Sequence, residues 1–209
     1  MGYSEDAPVS LARDVRQNEN CVWIADEALN DAIFERARAC LPAGVDGGPL
    51  VGLNRRWRLY KYNPGDIFKV HTDGSWPGSG LDKSGKLVKD IFGDRWSQLT
   101  FVLYLNDDFV GGATRFFSRP NGECTASVPA ERGAALCFFH GEHPWSPLHE
   151  GGKVTRGTKY IIRSDVLYRF PDGPKRGATE GWPGRSVNRV SPPPSTSDRY
   201  MKAVMIRWP

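Results

Sequence analysis

A chain of 209 residues, 39% hydrophobic and 25% charged, is long enough to bury a substantial core and reads as a soluble globular protein. Its formal charge of +4 is too small to imply a nucleic-acid partner, and residues 171–209 carry the whole excess, which leaves the body neutral. The 23 glycines and 16 prolines favour many turns and short strands over a helical bundle.

No charged and apolar leader opens the sequence, and no stretch approaches the roughly 18 consecutive apolar residues of a membrane span. Cys21, Cys40, Cys124 and Cys137 are widely spaced, with neither a CxxC nor a zinc-ligand pattern. Free thiols, an intracellular and cytoplasmic setting, and no membrane partner are the expectations.

In chain order, residues 1–20 are polar and aperiodic, an N-terminal arm. Cys21–Ile24 reads as a short buried strand. Asp26 is placed to cap a helix whose apolar positions Leu29, Ile33, Ala37, Cys40 and Leu41 recur at helical spacing, stopped by Pro42 and Gly44. Gly47-Gly48-Pro49 reads as a loop. Arg58–Tyr62 alternates as a strand does, Asn63-Pro64-Gly65-Asp66 is a turn signal, and Ile67–Asp73 is the next strand. Residues 74–95, polar and rich in glycine, read as a lid, a substrate loop or a surface insertion.

Trp96–Asn106 is dense in aliphatic and aromatic residues, as a central strand is. Further short strands are expected at 113–117, 125–128, 133–139 and 158–168. After Phe170 the composition shifts to proline and basic residues, including Pro192-Pro193-Pro194, which reads as a tail or strap whose last apolar residues, 200–208, dock on the body. The expected organisation is therefore an arm over 1–20, one β domain over 21–170 and a tail over 171–209.

His71 and Asp73 stand two apart, and in an extended strand residues i and i+2 point to the same face. An imidazole and a carboxylate converging on one point make two-thirds of a facial triad for non-haem Fe(II). The third ligand is left to His140, His143 or His149. On the strand after His149, Lys159, Ile161 and Arg163 share a face by alternation. Trp76 and Trp145 neighbour the candidate ligands in loops, where they could line a substrate groove or serve as packing.

Three segments in order, YNPGDIFKVHTD, LTFVLYLNDDFVGGATRFF and PLHEGGKVTRGTKYIIRSDVLY, resemble the prolyl 4-hydroxylase-like branch of the Fe(II)/2-oxoglutarate-dependent dioxygenases over about residues 57–168. The resemblance implies a mainly β fold with flanking helices, a double-stranded β-helix (jelly roll, cupin-like). It places His71, Asp73 and His149 on the metal ligands, and Lys159 on the basic residue that pairs with the far carboxylate of 2-oxoglutarate. Tyr62 matches a tyrosine reaching the same carboxylate, Thr114 a position lining the cosubstrate pocket, and Arg163 a further anion or substrate contact.

The implied cofactors are Fe(II), 2-oxoglutarate as cosubstrate and O2, with ascorbate as a reductant. The implied reaction hydroxylates an unactivated C–H bond of a prolyl or other amino-acid side chain in a peptide, or of an amino-acid-like small molecule. It is coupled to decarboxylation of 2-oxoglutarate to succinate. A non-catalytic jelly-roll binding module is the alternative. A nucleic-acid-directed dioxygenase is disfavoured, because the segment after His149 lacks the RxNxTxR pattern of that branch.

Overall fold

Alternation along one strand organises the molecule. In β5 (Arg95–Tyr104) Leu99 and Phe101 face one way, while Thr100, Val102 and Tyr104 face the other, and all five are buried. A strand buried on both faces sits at the centre of a sheet that is covered on both sides. The computed structural model describes residues 4–5, 16–118, 122–172 and 203–208, so most of the expected strap of 171–209 and most of the arm of 1–20 lie outside the described residues.

The larger sheet is antiparallel and is built around β5. On one side of it lie β10 (Lys159–Arg169), β3 (Arg56–Tyr62) and β1 (Glu19–Ile24), with β2 (Gly48–Leu53) also paired to β10. On the other side lie β8 (Ala135–Phe139) and β11 (Ala203–Ile206). The smaller sheet runs in the order β7 (Cys124–Val128), β6 (Thr114–Phe117), β9 (Leu148–Gly151), β4 (Ile67–His71) and then the short strand Arg16–Gln17. Phe116 and Val154 fill the space against Tyr60, Tyr62, Val102, Tyr104, Leu136, Phe138 and Ile161 of the larger sheet. Two antiparallel sheets packed face to face over a shared apolar interior form the expected jelly-roll β fold.

The single helix among the described residues, α1 (Glu27–Arg38), covers the outer face of the larger sheet. Asp26 caps it, accepting from Leu29 N at 2.9 Å. The buried stripe is offset from the expected one. Asn30, Phe34 and Ala37 face inward, whereas Leu29 is 37% exposed. The polar Asn30 tolerates burial because it is satisfied on both sides: its Nδ2 donates to Leu53 O at 3.1 Å, and its Oδ1 accepts from Trp57 Nε1 at 3.1 Å.

Two further expectations are corrected. Gly48-Pro49 opens strand β2 and is not a loop, because Pro49 pairs at an edge where no amide is needed and Leu50 lies opposite Tyr168. Residues 74–95, expected as a lid, substrate loop or surface insertion, contain a short hairpin. Gly80–Leu81 pairs with Leu87–Val88, and the buried Asn54 holds the base of this hairpin by donating to Pro77 O and accepting from Ser79 N. All four cysteines are free thiols. No helix among the described residues is long and apolar enough to cross a membrane.

Candidate metal and cosubstrate site

The registers of the two sheets bring the candidate residues together between them. His149 on β9 lies opposite His71 on β4, and Asp73 follows two residues beyond the end of β4. Gly141 N donates to Asp73 O at 2.8 Å and fixes the chain there after the strand has ended. One atom from each of His71, Asp73 and His149 lies within 4.8 Å of the others, and Asp73 and His149 are buried.

The ring orientations are set by backbone carbonyls, which can only accept. His71 Nδ1 lies 2.7 Å from Lys69 O and His149 Nδ1 lies 3.3 Å from Pro147 O, so each ring carries its proton on Nδ1. Both Nε2 lone pairs then face the Asp73 carboxylate, His71 at 3.5 Å from Oδ1 and His149 at 3.5 Å from Oδ2. His71 Nε2 is buried without a hydrogen-bond partner. Phe68 stacks on the His71 ring at 3.6 Å, and Phe138 meets the His149 ring edge-to-face at 4.6 Å. Burial pushes the His71 pKa down, against the pull of Asp73, which favours the neutral form a metal needs. Two neutral imidazoles and a carboxylate with converging lone pairs are the donor set that suits Fe(II) with open coordination positions. The neighbouring Glu150 is drawn away by Arg115, whose Nε donates to it at 2.7 Å.

Asp73 is held by Arg163, expected instead at an anion or substrate, and by Thr100, which sequence reasoning passed over. Arg163 Nη1 contacts its Oδ1 at 2.8 Å and Thr100 Oγ1 donates to its Oδ2 at 2.7 Å. Burial alone would raise the Asp73 pKa, but Arg163 and then His149 outweigh it and hold the carboxyl well below its ordinary value. Behind Thr100 a directional chain of hydrogen bonds runs inward. Trp76 N donates to Ser97 Oγ, Ser97 Oγ meets His140 Nε2 at 2.9 Å, and His140 Nδ1 meets Thr100 Oγ1 at 3.0 Å. Because Thr100 gives its proton to Asp73, His140 must donate from Nδ1 and accept at Nε2. His140 therefore braces the carboxylate through Thr100 and offers it no metal-binding lone pair. His143 is stacked on Phe139 at 4.0 Å, on the other face of the sheet.

A second group gathers about Lys159. It lies opposite Tyr62 across the β3–β10 ladder and is 3% exposed. Its Nζ donates to Gly112 O at 2.5 Å and sits 5.6 Å from the ring centroids of both Tyr62 and Tyr104. It has no carboxylate partner among the described residues, and burial pushes its pKa down to about 8. Thr114 is buried beside it, bonded to Tyr104 Oη at 2.9 Å, and burial raises the Tyr104 phenol to about 12. A buried ammonium with neutral hydroxyl groups around it and no counter-ion is suited to an incoming carboxylate.

Arg163 lies apart from Lys159, committed to Asp73 and, at 3.2 Å, to Asp165. Trp76 is half-buried, its amide donating to Ser97 Oγ at 2.8 Å and its ring under Arg56 and Arg58. Trp145 belongs elsewhere, lining a cavity of about 740 Å³ between the end of α1 and the outer face of β8, remote from the triad.

A jelly roll with two histidines and a carboxylate converging between its sheets defines a class of non-haem iron oxygenases. Residues 57–164 match the family described as the 2OG-Fe(II) oxygenase superfamily, and the chain belongs to it. It is a 2-oxoglutarate-dependent Fe(II) oxygenase, with Fe(II), 2-oxoglutarate and O2 as the family's cofactor and cosubstrates. No curated protein matches the sequence.

Among solved structures, a Pseudomonas putida prolyl-4-hydroxylase is 18% identical with a TM-score of 0.50, covering 79% of this chain and 77% of its own. A Trichoplax adhaerens prolyl hydroxylase, solved with a hypoxia inducible factor oxygen degradation domain peptide fragment, is 13% identical with a TM-score of 0.53, covering 81% and 71%. At such identities the likeness is one of fold.

Proposed function

We propose that this oxygenase hydroxylates an unactivated C–H bond of a proline or other amino-acid side chain, in a peptide or in an amino-acid-like small molecule, and couples this to decarboxylation of 2-oxoglutarate to succinate. The observation that carries the reading is the convergence of His71, Asp73 and His149, with one ligand atom from each within 4.8 Å of the others. In it, His71, Asp73 and His149 hold the iron. When bound, the iron and its keto-acid ligand supply O2 activation and oxidation of the C–H bond.

The other residues bind and orient. Lys159 receives the far carboxylate of 2-oxoglutarate, with Tyr62 and Thr114 lining that end of the pocket. Arg163 and Thr100 keep Asp73 ionised and fixed. Phe68, Phe116 and Phe138 surround the histidines with apolar surface and exclude water. The peptide bound to the Trichoplax adhaerens structure supports a peptidyl substrate as one form of this reading. To the dioxygenase unit of residues 21–170 we add the strand Ala203–Ile206, which pairs with β8, and Arg16–Gln17, which pairs with β4.

Anaerobic titration with Fe(II) and 2-oxoglutarate tests the assignment. A weak visible charge-transfer band that vanishes in His71→Ala and Asp73→Ala is the expected result, followed by O2-dependent succinate release. Bound iron with no band would instead favour a jelly-roll binding module.

A further inference from the structure

The inward faces of β3 and β10 carry more positive charge than the metal and cosubstrate readings use. Arg58, Tyr60 and Tyr62 alternate inward on β3, opposite Arg163, Ile161 and Lys159 on β10, and Arg16 reaches in from beside Phe68. Three buried cations, Arg16, Arg58 and Lys159, together with the partly buried Arg163, thus meet the buried carboxylates Asp73 and Asp165. Arg163 is spent on both carboxylates, and Lys159 has its place in the proposed cosubstrate pocket.

Arg16 and Arg58 remain. Each is 8% exposed. Arg16 lies over the rings of Tyr60 and Phe68 at 5.4 and 5.3 Å, makes a long contact to Tyr60 Oη at 3.5 Å, and has no ion pair among the described residues. Its Nε is buried without a hydrogen-bond partner. Arg58 approaches Asp165 only at 3.7 Å, and its Nη2 is likewise buried and unbonded. A buried guanidinium nitrogen without a hydrogen bond is costly, so each arginine keeps one donor free for a further acceptor.

Their position says what arrives. Tyr60 stands between the two arginines, two residues from Arg58 on the same face and beneath Arg16. Arg16 is one aromatic ring from the metal ligands, through Phe68 to His71. Arg58 reaches them from another side, through Asp165 and Arg163 to Asp73. The half-buried Trp76 forms the adjoining wall, and Arg56, Arg58 and Lys89 all approach its ring within 4.8 to 5.3 Å. The surroundings of Trp76 are therefore cationic although the body of the chain is neutral.

We infer that the substrate carries a carboxylate, received by Arg16 and Arg58 about Tyr60, with the bond to be oxidised lying between that carboxylate and the metal triad. The inference rests on the oxygenase reading and narrows it. A free amino acid and an acidic side chain of a peptide both present this group.

Thermal-shift titration of the full chain, with and without Mn(II) plus 2-oxoglutarate, tests the inference. The probes are matched pairs: free L-amino acids against their carboxamides, and end-capped tripeptides containing Asp or Glu against those containing Asn or Gln. The expected result is saturable stabilisation by one carboxylate series, with half-saturation at least about tenfold higher for the amides. Arg16→Gln and Arg58→Gln should each weaken the effect by a similar factor, and Arg16→Lys and Arg58→Lys should recover part of it. Which series responds identifies a small-molecule or a peptidyl carboxylate.

Equal response to acids and amides, no saturable response to any carboxylate, or unaltered binding by the glutamine variants overturns the inference. The comparison of acids with amides uses only the wild-type chain, so it holds even if a variant fails to fold. Mn(II) binding to the wild type, followed by electron paramagnetic resonance, tests the oxygenase reading separately. That reading stands or falls on the metal signal, and the carboxylate site stands or falls on the matched pairs.

Discussion

His149 lies directly across the ladder from His71, their ring centroids 4.2 Å apart. Neither ring can turn its protonated nitrogen toward the other without losing its hydrogen bond to a backbone carbonyl, so the pair presents two lone pairs to one point. His149→Ala should therefore lose metal binding and reduce succinate release to background while leaving the apolar interior intact. Mn(II) titration alongside circular dichroism checks this. Normal turnover in the variant would remove His149 from the metal set.

Lys159 carries a second prediction, in which function and stability run in opposite directions. A folded-state pKa near 8, against an ordinary 10.5, means that the fold disfavours the charged lysine. The penalty is fully present below pH 8 and is relieved as pH rises toward 10.5, at a cost on the order of 3 kcal/mol at neutral pH. Lys159→Met should raise the Tm of the cosubstrate-free protein at pH 7, and that advantage should shrink above pH 8. The same variant should raise the KM for 2-oxoglutarate far more than it lowers kcat. In the wild type, 2-oxoglutarate affinity should fall as pH rises through about 8, because the neutral amine offers no charge.

Among the described residues, Arg163 is the only side chain that ion-pairs with both Asp73 and Asp165. Arg163→Leu leaves Asp73 and Asp165 buried with too little positive charge, a change that typically costs about 3–5 kcal/mol. A metal bound at Asp73 would replace part of the lost charge. The loss of Tm should therefore be larger in metal-free than in Mn(II)-loaded protein, and calorimetry of the two forms measures the difference.

Gly112 makes the Lys159 pocket possible. Its φ is +65°, and a β-carbon there would meet Phe109 at 2.9 Å, Val154 at 3.1 Å and the Lys159 side chain at 3.2 Å. Gly112→Ala should cost about 1–2 kcal/mol from backbone conformation alone. By pressing on Lys159 it should also raise the KM for 2-oxoglutarate. An unchanged KM would show that the lysine has room to shift.

The fold and the main site residues were legible because their signals are local. Dense apolar content marks β5, alternation marks β3 and β10, and the His-x-Asp pair needs no tertiary information. What escaped reading was set by partners distant in sequence. Asn30 is absent from the apolar spacing of α1, yet it is buried with bonds to Leu53 and Trp57. Strand β9 has four residues and no apolar pattern, so the element carrying His149 was invisible until β4 and β6 closed around it. Thr100 and Asp165 did carry a signal, as polar residues inside otherwise apolar strands, each facing the interior where a partner waits. Arg16 had none, since a lone arginine in a polar stretch gives no hint of burial.

The two histidines sit on neighbouring strands but are separated by about half of the domain in sequence. A metal held by both would act as a clasp across the smaller sheet, tying the segment around residue 71 to the one around residue 149. Iron supply would then govern how long the protein lasts as well as how fast it works. A cell short of iron would hold a looser protein, whose smaller sheet opens more readily to proteases, and the amount of enzyme would follow the metal it depends on.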